Sequence, residues 1–105
     1  EQVQSAISGG VEFDGVFAAS DGIALSAIRA LEAAGRRCPQ DVSVIGFDDS
    51  DIASQSRPSL TTIRQNVPGI AETLVDNLFR RLKGEETAST TLSVNLIVPD
   101  SAPAT

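Results

Sequence analysis

Three short apolar runs, each followed by a segment that reads as helix, constrain the fold more than any other feature. They are DGVFAA (residues 14–19), VSVIGF (42–47) and LTTIR (60–64). Runs this short and apolar read as buried strands, and the β-branched Thr and Ile of the third favour a strand over a helix. The segments joining them are too long for hairpin turns, so the strands must pair in parallel through crossovers. The expected order is α-β-α-β-(short α)-β-α-β: helix 1–8, strand 14–19, helix 22–34, strand 42–47, a helical turn 52–55, strand 60–64, helix 67–82 and strand 92–98. The fold class is therefore α/β, a parallel sheet with helices on both faces.

Local signals place the helix ends. Ser20-Asp21 supplies an N-cap and Gly35 a stop. Asn66 caps the last helix, Pro68 sits in its first turn and Gly84 follows its end. Its apolar positions 71, 74, 75, 78 and 82 keep helical spacing. Residues 85–91 read as a polar loop and the tail 99–105 as loose. The chain opens on a helix with no strand before it and has no initiator Met, so a fragment of a longer protein is expected.

Composition excludes several classes of function. The chain has no His, which removes Ser-His-Asp and Cys-His relays and most catalytic zinc sites. Cys38 is the single Cys, so it can form neither an internal disulfide nor a thiolate metal cage, and it fits a reducing cytoplasm. No Gly-Lys-Ser/Thr phosphate loop occurs, and Lys83, the one Lys, lies at a helix end rather than after a late strand. No enzyme activity, metal or cofactor is expected. With 8 basic and 14 acidic residues the net charge is −6, which opposes nucleic-acid binding by this segment. No apolar run approaches the ~20 residues of a membrane span, and EQVQSAISGG is no signal peptide.

In an open parallel sheet, ligands bind beyond the carboxyl ends of the strands. Here those ends carry Ser20-Asp21, Asp48-Asp49 and Arg64-Gln65-Asn66. Carboxylate, hydroxyl, amide and guanidinium groups together suit a small neutral polyol such as a sugar. Structural readings compete at the same positions: Asp21 as a helix cap, and Asp49 and Asp51 as caps or solvated charges. Helix 22–34 confines Ser26, Arg29 and Glu32 to one narrow stripe and is apolar over the rest of its surface. One sheet cannot cover so wide a surface, so a second neighbour is expected, either absent chain or a second subunit.

The motifs carrying the resemblance are Gly35…Pro39-Gln40-Asp41-Val42-Ser43-Val44-Ile45-Gly46-Phe47-Asp48-Asp49 and Pro58-Ser59-Leu60-Thr61-Thr62-Ile63-Arg64-Gln65. With the strand ending in Ala19-Ser20-Asp21, they resemble the effector domain of the LacI/GalR repressors over almost the whole chain. The resemblance implies a type I periplasmic-binding-protein-like fold of two subdomains around a cleft. Residues 1–105 would be the C-terminal fragment of that domain. Residues 11–65 and 92–98 would belong to its C-terminal subdomain, and helix 67–83 would pack on an absent N-terminal subdomain. It implies effector binding by Asp48, Ser20 and Gln65, a helix cap at Asp21, and dimer contacts by Ala24, Ala27, Ile28, Leu31 and Ile52. Ser20 stands where many members carry Asn and reaches less far. The implied protein is a cytoplasmic homodimeric repressor that senses a small metabolite, a sugar or sugar derivative. It would touch DNA only through an absent N-terminal headpiece and would have no membrane partner. The alternative is a sugar-binding protein of a transport system, which shares the fold.

Overall fold

The computed structural model describes residues 2–103. The element order is α1 (Gln2–Ser8), β1 (Gly15–Phe17), α2 (Asp21–Ala33), β2 (Ser43–Ile45), α3 (Asp51–Gln55), β3 (Thr62–Gln65), α4 (Val67–Leu82) and β4 (Val94–Ile97). This is the alternation expected from the sequence. β1 and β2 pair in parallel, Val16 opposite Val44. The ladder outlasts the strands: Ala18 N–H donates to the Ile45 carbonyl at 2.8 Å and Asp21 N–H to the Phe47 carbonyl at 3.0 Å. Ile45 bridges in parallel to Thr61 just before β3, and β3 and β4 form a second two-stranded sheet. The third strand begins at Thr62 rather than at residue 60: the Leu60 N–H donates to the Ala53 carbonyl of α3 at 2.7 Å instead of to a strand, and Thr61 makes only the isolated bridge to Ile45.

The chain divides into two compact units, Glu1–Arg64 with Leu96–Thr105, and Gln65–Asn95. The first holds the core, in which Ala18, Val42, Val44, Ala53 and Leu60 surround Ala24, Ile28 and Leu31 of α2. Those three positions follow the i, i+4, i+7 stripe of a helix lying on a sheet. Ser20 caps α2 by accepting the Ile23 N–H at 3.2 Å. Gly35 closes it at φ 78, with its own N–H on the Glu32 carbonyl and the Arg36 N–H on that of Leu31. A left-handed residue after the last turn costs glycine nothing and satisfies two carbonyls.

Two expectations are corrected here. Ala24, Ala27, Ile28 and Leu31 do not face a second subunit; they are all at most 6% exposed within this one chain. Val3 and Ile7 of α1 and Ala53 of α3 pack on the core that this face of α2 joins, while Ile23 of α2 stays 56% exposed. Of the five expected contact residues Ile52 alone is exposed, at 40%. The tail is not loose as far as Ala102. Ser101 is fully buried, and its Oγ accepts the Thr61 N–H at 2.7 Å and donates to the Val44 carbonyl at 2.6 Å. The tail is held because it supplies partners that β2 and the approach to β3 would otherwise lack. Residues 104 and 105 lie outside the described residues.

The second unit contains α4, capped by the Asn66 side chain, which accepts the Gly69 N–H at 3.1 Å. None of its residues is buried, and Leu74, Leu78, Phe79 and Leu82 are each more than half exposed. No helix among the described residues is long and apolar enough to cross a membrane.

Candidate functional site

The bond from Asp21 N–H to the Phe47 carbonyl sets the carboxyl ends of β1 and β2 side by side. Ser20 and Asp48 lie one residue to either side of that bond. Ser20 is half-buried; its oxygen caps α2, which leaves its O–H able to donate elsewhere. Asp48 is exposed, and its own N–H donates to the Ile63 carbonyl at 2.9 Å.

The turn that carries Asp48 is strained. Asp48 has φ 113 and Asp49 φ 55, both in the left-handed region. Such residues cost about 1–3 kcal/mol each and persist only where their surroundings over-determine them. The determinants converge on Asp21, which is 1% exposed. Its Oδ2 accepts the Ser50 N–H at 2.6 Å and the Ser50 hydroxyl at 2.9 Å. Its Oδ1 accepts the Thr62 hydroxyl at 2.6 Å, and Thr62 Oγ1 accepts the Asp49 N–H at 3.1 Å. Three donors thus offset the desolvation of one buried carboxylate.

Asp21 is therefore not the cap that the sequence indicated. Ser20 caps α2, and Asp21, at the first helical position, ties the helix to the β2–α3 loop and to β3. A negative charge there is also favoured by the helix dipole. Gly46 makes the approach possible: a Cβ at that position would sit 2.5 Å from Asp21 Oδ1 and 2.9 Å from Leu60 Cδ2.

The acidic pair splits by environment. Asp49 pairs with Arg64, Nε to Oδ2 at 2.6 Å, and its side chain is only 19% exposed. Asp48 is the exposed member. Gln65 ends β3, is half-buried, and is the residue at which the second unit begins. The structure thus groups Ser20, Asp48 and Asp49 within the first unit. Sequence reasoning missed Ser50 and Thr62. Their only signal was polarity next to a strand end, which many solvated residues share.

The remaining chemistry-bearing residues lie apart from this cluster. Cys38 is buried, its Sγ is 3.5 Å from the Ser101 carbonyl, and burial pushes its thiol pKa up, away from the reactive thiolate. Arg37 grips Asp41 through Nε at 3.0 Å and Nη2 at 3.1 Å, which holds the Asp41 carboxyl below the ordinary range. A hollow of about 600 Å³ beside β1 is lined by Val3, Val16, Phe17, Ile23 and Ala27, and includes neither Ser20 nor Asp48. No cluster of three or more metal-ligating side chains occurs among the described residues.

The model of the periplasmic binding protein-like domain matches residues 3–101. The chain belongs to that family. Within it, the relatives are LacI-type transcriptional regulators. CelR of Thermobifida fusca is 39% identical over 92 residues, 86% of this chain and 27% of that protein. The lactose operon repressor of Escherichia coli is 34% identical over 85 residues, 81% of this chain and 24% of that protein. Among solved structures, the Lac repressor dimer bound to operator and the anti-inducer ONPF superposes with a TM-score of 0.89 at 32% identity, over 98% of this chain and 36% of that one. The CelR–cellobiose complex gives a TM-score of 0.85 at 35% identity, over 95% of this chain and 31% of that one. This periplasmic binding protein-like chain spans about a quarter of the CelR and lactose repressor sequences and about a third of those solved chains.

Proposed function

We propose that the chain is the C-terminal, effector-sensing part of a LacI-type transcriptional regulator, that its effector is a sugar, and that Asp48 accepts hydrogen bonds from the sugar hydroxyls. The observation that carries this reading is the exposed Asp48 carboxylate, held in a left-handed turn at the carboxyl end of β2 beside Ser20 at the end of β1. A carboxylate accepts two hydroxyl donors at once, and Ser20, at the adjoining strand end of the same unit, adds a hydroxyl. The CelR–cellobiose complex supports a sugar as the class of effector. Relatives that are transcriptional regulators favour this reading over a transport protein.

In this reading the sugar biases an equilibrium between two arrangements of the effector domain, and a DNA-binding headpiece elsewhere in the regulator reads the outcome. DNA is contacted through that headpiece and not through this acidic segment. The apolar face of α4 packs on the remainder of the regulator. The whole protein works in the cytoplasm as a homodimer and catalyses nothing. The subunit contact moves from the buried face of α2 to the exposed surface around Ile52. There Leu25, Arg29, Glu32, Gln55 and Arg57 line, with Ile52, a depression of about 280 Å³.

The test is Asp48→Asn in the full-length regulator, titrated calorimetrically with cellobiose as the probe sugar. The change keeps shape and removes charge. Hydrogen bonds to a charged group are worth about 1.5–3 kcal/mol each and are not additive, so a loss of about 2–4 kcal/mol, roughly 30- to 1000-fold in affinity, is expected. The melting temperature without sugar should barely move. Unchanged affinity in Asp48→Asn, with Asp49→Asn weakening binding instead, would show that the wrong carboxylate has been assigned.

A further inference from the structure

We infer that Asp21 and Thr62 are positioning residues for the ligand carboxylate: they hold the 48–50 turn in its left-handed conformation and so set where Asp48 presents its charge. The inference rests on the reading of Asp48 as the sugar-binding residue. A relay runs along the inner side of the turn. Asp49 N–H donates to Thr62 Oγ1, the Thr62 hydroxyl donates to Asp21 Oδ1, and Asp21 Oδ2 takes both the N–H and the hydroxyl of Ser50. The backbone on both sides of the Asp48–Asp49 peptide is thereby fixed, by Ile63 before it and by the relay after it.

A turn with two non-glycine residues at positive φ reverts to ordinary backbone angles unless such contacts oppose it. Asp21 and Thr62 are at most 1% exposed, so neither touches a ligand; both act only through the turn. All the donors point at Asp21, so a carboxylate serves where an amide would not. The Ser50 N–H can only donate, and an amide offers one acceptor atom in place of two. Gly46 belongs to the same device, because any side chain there would push Asp21 away.

The experiment separates positioning from packing at Thr62. Thr62→Val keeps the shape and removes the hydroxyl; Thr62→Ser keeps the hydroxyl and removes a methyl group. Amide hydrogen exchange is followed by NMR at Asp49 and Ser50, with Val44 and Leu31 as core references. Thr62→Val should speed exchange at Asp49 at least about tenfold, the loss expected for a buried bond linked to a charged acceptor. Thr62→Ser should stay within about threefold of the parent, and Asp21→Asn should speed exchange at Ser50 about tenfold while Val44 and Leu31 hold. Equal loosening in the Ser and Val variants, or no loosening in Val, overturns the inference. Cellobiose titration of the full-length regulator then divides the two readings. If Asp48→Asn weakens binding and Thr62→Val does not, the positioning role falls and the effector site stands. If the turn loosens as stated but Asp48→Asn leaves binding unchanged, the effector site falls, and the positioning of a ligand group falls with it.

Discussion

Replacing Ser101 by Ala should destabilise the chain out of proportion to the loss of one hydroxyl. Ser101 is fully buried, and its Oγ joins the Thr61 N–H, 2.7 Å away, to the Val44 carbonyl, 2.6 Å away. Thr61 is itself 1% exposed, so water cannot take over. An orphaned buried N–H costs about 1–3 kcal/mol, and the lost bond to Val44 adds about 1 kcal/mol. The total of about 2–4 kcal/mol is a large share of the ~5–15 kcal/mol that holds a domain of this size together. Urea unfolding followed by circular dichroism should show the midpoint falling by about 1–2 M with an unchanged slope. Ser93→Ala, at an exposed position of the second unit, is the control and should shift it by less than about 0.5 kcal/mol. If Ser101→Ala unfolded at the same urea concentration as the parent, the tail would not be closing the core.

Other outcomes follow from the same structure. Ile52→Glu should weaken a dimer formed by the full-length regulator at least about tenfold, because each copy of Ile52, 40% exposed in the single chain, has about 0.6–1.2 kcal/mol of burial to lose; sedimentation velocity that still shows the dimer at unchanged affinity would refute the contact. Asp41 is held below the ordinary carboxylate range by Arg37, so its contribution to stability is complete above that range and is lost as pH falls through its lowered value. Asp41→Asn should flatten that part of the acid limb in urea titrations taken at successive pH values, and a superimposable limb would refute the assignment. Cys38, buried and with its thiol pKa raised, should resist iodoacetamide at pH 8 in the folded chain and label fully in urea. Fast labelling in native buffer would show that its burial is not maintained.

By itself the sequence determined the succession of elements, because the signals that place them are local. Apolar runs marked the strands, and Ser20, Gly35 and Asn66 marked helix ends through bonds that reach three or four residues along the chain. The helical segments between successive strands then required parallel pairing through crossovers, and parallel pairing put the carboxyl ends of β1 and β2 side by side. Tertiary structure alone decided what those residues do there. Asp21 became an anchor of the 48–50 turn rather than a cap because its partners Ser50 and Thr62 lie 29 and 41 residues away. Ser101 left the expected loose tail because its partners lie 40 and 57 residues back. The apolar breadth of α2 was legible from its composition, but its neighbours were not. Periodicity measures how much of a helix surface must be covered, whereas which surface covers it depends on how α1 and α3 fold back, and no pattern within α2 records that.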